Sequence, residues 1–570
     1  MENSYDSVIV AVQPHFLKDE KLQKVFEIKE PKIIVDKNFN SFYFKRHFNS
    51  EIMAVIIMEH NFDLQLWSSL SNTLNFMRQI RILIICVNVS NNKQLQSDVL
   101  RACEQYHQNN VILHLLNTSQ DTISQEYWQL KPFPNYHFQN RMFDNKNIVL
   151  YPKHWHDMKG KTLLTLPDQI QPRSFLWKND KNQLQLSGFT AKCVQLFADK
   201  YNATLKMSLP LKVNEIIHLS IITNMTQQGQ LDIPMSLDSS FTGDKWLFMS
   251  YPLEIGKWMI MSPCAETIET NQVFKLLFTP QLFAIISTFS ILFSLLLSLI
   301  EKLFHNHSNC LNIFISDKVI PGILAQSFVL HKSSNYSMRI VYVLIFIFGL
   351  MMSTNFSAHL KTLITSPPLQ KQPKTFDEFR AAGKKILLDI LDKKNLDNYI
   401  MEKMEGAIKY THNTTLFQKY RQNFNTTYSY AVTAGLWNIF TKKQEFLTHK
   451  IFCSSENMFI MDLLMLGIPL QKHSMYKEPL DQLIHRIHSV GLFSVWQSQT
   501  FYDMMRLGNI TIKDTSKIRF HKDLSENDLL FVWFILLLGL SSSCIIFLLE
   551  VLGTLVMKMF KNKCKYKYNT

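Results

Sequence analysis

Two histidine pairs have the spacing that metal chemistry would use. His485 and His488 stand one helical turn apart, and His154-Trp155-His156 is a close pair, but neither comes with the further ligands a metal site needs. No Cys-x-x-Cys pair, zinc spacing, dinucleotide or phosphate-loop glycine motif or nucleophile elbow occurs beside them. The expectation is a protein that is no enzyme and carries no metal or cofactor. Charge offers a different chemistry. The chain has 60 Lys and Arg against 46 Asp and Glu, net +14, yet the cations are scattered as on a solvated surface, which argues against a nucleic-acid partner. They concentrate only at Lys558, Lys561, Lys563, Lys565 and Lys567, directly after an apolar segment, where a cytoplasmic cluster meets anionic headgroups of a lipid bilayer.

The elements that position these residues begin with the membrane. Residues 276–300, 340–360 and 529–553 are apolar and long enough to cross roughly 30 Å of hydrocarbon, which takes about 20 helical residues. A fourth stretch, 311–330, is broken by Asp317, Lys318 and Pro321-Gly322; it is either a re-entrant segment buried in protein or an amphipathic surface helix. The basic tail 554–570 sets the C-terminus in the cytoplasm. Three crossings then place residues 1–275 and 361–528 outside and the loops 301–339, with Lys302, Lys318, Lys332 and Arg339, inside. Asn-x-Ser/Thr acceptors at Asn88, Asn117, Asn202, Asn224, Asn413, Asn425 and Asn509 fall in the outer segments, as in a plasma-membrane glycoprotein, while those at Asn306, Asn335 and Asn355 do not. The run Ser7 to Val12 is shorter than a secretory apolar core of about 7 to 15 residues, so the expectation is a native N-terminus further upstream or an atypical internal signal.

A chain of 570 residues calls for three or four modules. In residues 1–146, β-rich runs at 7–12, 32–35, 54–58, 82–87 and 111–116 alternate with helical patterns such as 95–106, predicting a small parallel α/β domain. A second α/β pattern starts with a strand at 148–151, a helix capped by Thr190 with Cys193, Leu196, Phe197 and Tyr201 on its apolar face, and a strand at 203–209. It resumes beyond the second span with a helix at 376–382 and strands at 385–389 and 428–432. Leu480, Leu483, Ile484, Ile487 and Val490 mark one helix face that Gly491 stops. An α/β module is split by a membrane insertion.

This order resembles an ionotropic glutamate receptor subunit, and more closely the divergent chemosensory ionotropic receptors of arthropods, over residues 147–553. Four landmarks carry it. Asn355 to Thr365 aligns without a gap to the family's SYTANLAAFLT gate, with Phe356, Ser357, Ala358, His359 and Leu360 at the gate positions. Small residues there suit a close helix crossing, gated or merely packed. Gln326 falls where the family's filter glutamine stands, or else caps a broken helix. Phe248-Met249-Ser250-Tyr251-Pro252 and Ser474-Met475-Tyr476 are similar to two further family segments.

The resemblance implies a periplasmic-binding-like clamshell of lobe 1 (147–275) and lobe 2 (361–528), three transmembrane helices and a re-entrant pore loop, closure of the clamshell opening a cation-conducting pore. It also implies a small-molecule or ionic ligand and co-receptor subunits in a heterotetramer. The family's carboxylate-binding Arg is missing from Pro234 to Lys245, and Thr433 stands near the family's ammonium-binding acid. Glutamate is therefore not the expected ligand, because a zwitterion's desolvation would go uncompensated. Asp238, Lys245, Tyr430 and Thr433 remain as cleft candidates, though Lys245, which offers a charge but no planar fork, reads better as a surface lysine. The family's second-lobe disulfide looks lost, since Cys453 has no later extracellular partner; a Cys86 to Cys103 bridge stays open. An electrically silent or co-receptor-dependent binding subunit is the alternative.

Overall fold

In the computed structural model the described residues are 5–12, 25, 27–37, 44–46, 51–89, 91–116, 125–143, 149–178, 181, 183–213, 215–239, 243–268, 270–305, 316–329, 335–366, 368–396, 398–507 and 529–567. Two compact units divide the chain: Met1–Pro263 with Pro373–Ser516, and Cys264–Gln372 with Lys517–Thr570.

The first unit opens with a sheet built from apolar, β-branched runs. Ser7–Val12 is buried along its whole length and pairs in parallel with Lys32–Val35 and Ile52–Glu59. Arg81–Val87 and Asn110–Leu116 continue the parallel order. Helices Leu64–Thr73 and Asn92–Gln105 begin at Asp63 and Asn91, whose side chains accept from Leu66 N and Gln94 N and so satisfy donors the helix leaves open. Trp67, Leu70, Val99 and Cys103 pack on Ile9, Ile56 and Ile84, each large apolar side chain contributing about 2 kcal/mol on burial. An antiparallel hairpin, Glu126–Lys131 with His137–Met142, extends the sheet past the stretch that the sequence pattern covers.

The rest of this unit holds a second α/β arrangement. Lys161–Thr165 pairs in parallel with Ala203–Met207, and helix Phe189–Lys200 packs Phe197 and Tyr201 into a core with Leu464, Leu466, Leu480 and Ile484. A five-stranded sheet runs in the order Ile408–Thr411, Ile386–Asp389, Ser429–Thr433, Glu254–Pro263, Phe452–Leu466. Its first three strands are parallel and the other contacts antiparallel, so a strand from before residue 263 sits between two from after residue 373.

Several expectations need correction. Residues 149–151 form no strand. Thr190 lies inside its helix, and Gly188, at φ 112°, takes the cap position. Gly491 does follow helix Lys477–Ser489 in the left-handed region, but Val490 is exposed where the helix face has ended. Cys86 and Cys103 are free and buried. Cys453 is disulfide-bonded, contrary to the expectation that it lacks a partner.

The second unit is helical. Pro280–Phe304, Tyr336–Thr365 and Val532–Val556 are long and apolar enough to cross a membrane, displaced by a few residues from the stretches that composition marks. Pro280 opens its helix, where its fixed φ fits and its missing N–H is no loss. Of the interrupted stretch only Val319–Ile323 is helical, while 311–315 and 330 lie outside the described residues. This turn seats on Tyr336–Thr365 because glycines meet there: a Cβ on Gly349 would come within 2.0 Å of Gly322 O. Phe293, Leu297, Val319, Ile323, Val341 and Ile345 fill the contact.

Candidate functional site

A cavity of about 100 Å³ in the first unit is lined from both sides of the interruption in its chain. Ile170, Arg173, His218 and Glu254 come from before residue 263; Asp389, Asp392, Arg421 and Thr433 from after residue 373.

Arg173 is placed by a buried turn. Asp168 accepts from Ile170 N (3.0 Å), Ser174 Oγ (2.7 Å) and Ser236 Oγ (3.0 Å), and its carboxylate lies 4.0 Å from Arg173 Nη1. Burial raises the Asp168 pKa, with Arg173 and the three donors pulling the other way. Arg173 Nη1 donates to Leu237 O at 3.2 Å. Gly188 makes the turn possible: a Cβ there would sit 2.3 Å from Arg173 O, which accepts from Thr190 N at 3.0 Å.

Arg421 enters from helix Thr414–Gln422, which Asn413 caps. Its Nη1 donates to Ala431 O (3.1 Å), its Nη2 to Gln418, and the guanidinium lies 5.0 Å over the Phe417 ring. Nε is buried with no hydrogen-bond partner. Burial lowers the Arg421 pKa to about 10, with Asp392 opposing, so the group stays cationic at neutral pH. Asp389 caps the turn after its strand by accepting from Leu391 N at 3.0 Å, while its Oδ2 is buried without a partner. Glu254 accepts from Gly435 N at 3.0 Å, at the positive end of helix Ala434–Gln444. Across the cavity, His218 Nε2 lies 3.7 Å from Asp392 Oδ1. The site thus presents charges of both signs, one orphan donor and one orphan acceptor.

Of the residues that sequence singled out, only Thr433 lines this cavity, and its hydroxyl caps helix Ala434–Gln444. Tyr430 instead packs on Phe417 and Phe452, its hydroxyl donating to Asn425 O at 2.9 Å. On a strand successive side chains face opposite ways, so Ala431 and Thr433 reach the cavity and Tyr430 turns to the core. Asp238 is buried beside the cavity, accepting from Thr223 Oγ1 and Ser239 N, both at 2.7 Å. The Lys245 side chain lies outside what is described. Arg173 and Arg421 also line the cavity, and neither is among the candidates that the sequence offers. Arg421 had a signal, a cation on the same helix face as Phe417; Arg173 had none.

In the second unit Gln326 is exposed and its N–H donates to Pro321 O at 2.7 Å. Phe356, Ser357, Ala358, His359 and Leu360 are helical, with Phe356 6.0 Å from the Phe278 ring. The basic cluster from Lys558 falls on helix Leu530–Lys567, its side chains undescribed. Asn202, Asn224 and Asn413 are exposed acceptors, Asn88 and Asn425 half-buried, and Asn117 and Asn509 outside the described residues. The His485 ring lies 3.8 Å from that of Tyr251, tilted by 36°, and His488 Nε2 lies 3.1 Å from Pro252 O. No group of three or more metal-ligating side chains occurs among the described residues. No protein-family model matches the chain, and no curated protein matches it.

Proposed function

We propose that the chain is a subunit of a ligand-gated cation channel of the chemosensory ionotropic-receptor type, with lobes 147–263 and 373–516 closing on a small ligand. One observation carries this reading: the α/β unit is interrupted between Pro263 and Pro373 by a segment holding two helices long enough to cross a membrane, and residues from both sides of the interruption line one charged cavity. Closure that buries a ligand between Arg173 and Arg421 would pull on the segments leading to those helices, and gates the pore to the extent that the closed form favours the open pore. The orphan Arg421 Nε and Asp389 Oδ2 call for a small polar ligand bearing both an acceptor and a donor. The exposed apolar length of Val532–Val556 suits contact with lipid and with neighbouring subunits.

The test is co-expression with candidate co-receptor subunits under a panel of acids, amines, amino acids, sugars and salts, read as membrane current. A ligand-dependent current lost in Arg421→Met supports the reading. No such current in any combination, with ligand binding retained, leaves an electrically silent binding subunit instead. A response to glutamate alone overturns the expectation of a different ligand.

A further inference from the structure

The larger cavity of the first unit lies elsewhere. It encloses about 580 Å³ where the N-terminal sheet meets loops around residues 246 and 473–478, a size within the roughly 300–1,000 Å³ of small-molecule pockets. Phe76 makes the joint: its N–H donates to His473 Nδ1 at 3.1 Å and its ring meets Phe248 edge-on at 5.3 Å. His473 can accept because burial, followed by Arg78, holds its pKa down at about 3.

The cations lining this cavity are not all balanced. Arg81 pairs with Glu51 at 3.2 Å, Lys153 with Glu478 at 3.7 Å and Lys477 with Asp481 at 3.4 Å. Arg78, 6 % exposed, has no carboxylate partner among the described residues. Its Nη groups meet only the amides of Asn75 and Gln108, and its Nε is buried without a partner. Tyr151 also lines the cavity, with a buried hydroxyl that has no partner. Both orphans can donate, and a buried donor without an acceptor is rare in folded proteins. Phe133, Trp155 and Trp246 supply flat apolar wall.

We propose that this joint is a second binding site, for a small aromatic carboxylate whose anionic head meets Arg78 and whose ring lies among the aromatic walls. A guanidinium holds a carboxylate through paired hydrogen bonds, and an aromatic body replaces water along the walls. Occupancy would tie the N-terminal sheet to the second α/β arrangement.

The probe is benzoate, with benzamide as its neutral counterpart, titrated into the full-length protein in detergent and followed by calorimetry and by fluorescence of the lining tryptophans. Saturable benzoate binding is expected, weakened at least about tenfold in Arg78→Gln, with benzamide weaker by a similar factor. Trp246, 46 % exposed, can be changed without opening the core, so Trp246→Ala provides a second variant and should weaken binding several-fold, by roughly the loss of one aromatic contact. Thr433→Val, in the smaller cavity, should leave benzoate binding unchanged. The proposal is overturned by absence of binding below about 10 mM, by equal binding of benzamide, by unchanged affinity in both Arg78→Gln and Trp246→Ala, or by a loss in Thr433→Val matching theirs.

Discussion

The cavity around Arg173 and Arg421 encloses about 100 Å³ and faces its arginines with Asp389, Asp392 and Glu254; the cavity around Arg78 encloses about 580 Å³ and leaves that arginine without an acid. The guanidiniums of Arg78 and Arg421 are buried, and burial lowers the pKa of each to about 10. What differs is where the compensation comes from. Around Arg421 the protein supplies two nearby carboxylates, Asp392 and Asp389, so removing the cation leaves both without it. Around Arg78 it supplies the amides of Asn75 and Gln108, the Tyr106 ring at 5.9 Å and room, and removing the cation strands little.

The sharpest break of the comparison is Gly188→Ala. Its Cβ would meet Arg173 O at 2.3 Å at a φ of 112°, so the Arg173 turn must move. We expect a loss of about 4 kcal/mol in denaturant unfolding and loss of any ligand response in the smaller cavity, with benzoate affinity within about twofold of the parent. Next, Arg421→Met should cost about 3 kcal/mol and Arg78→Met about 1 kcal/mol in the same measurement. Equal costs would show that the acids near Arg421 do not feel its charge. A smaller effect is expected from acid. His473 has its pKa lowered from 6.5 to about 3, so the unfolded chain takes up a proton that the native joint refuses. Stability therefore rises with pH between about 3 and 6.5 and falls on acidification through that window. The melting temperature should drop between pH 7 and 5, and His473→Asn, whose side-chain oxygen can still accept from Phe76 N, should flatten the drop. The smallest effect is Thr223→Val, which removes one hydrogen bond to Asp238 and should cost about 1 kcal/mol in thermal unfolding.

Much of the N-terminal sheet could be read in advance because its parallel strands are buried on both faces and so appear as continuous apolar runs, Ser7–Val12 most plainly. His137–Met142 could not: it is a polar, largely exposed edge whose place is set by backbone pairing to Glu126–Lys131. The smaller cavity was legible in only one residue, Thr433. Ser429 to Val432 are all buried, so no alternation of apolar and polar residues along Ser429–Thr433 separates Thr433 from Tyr430; only the pleat of the strand does. Arg173 depends on Asp168, Gly188, Ser236 and Leu237 converging in space, and no local pattern announces that convergence.

The strand Glu254–Pro263 has a consequence for how the chain is made. It is synthesised before the membrane helices, yet its neighbours in the sheet, Ser429–Thr433 and Phe452–Leu466, emerge from the ribosome well over a hundred residues later. Until then its apolar residues, Met259 and Ile260 among them, lack the neighbours that cover them, so the nascent chain must hold an unpaired edge while two helices long and apolar enough to cross a membrane are made. Such distant pairing is slow to form and exposed to aggregation while it waits.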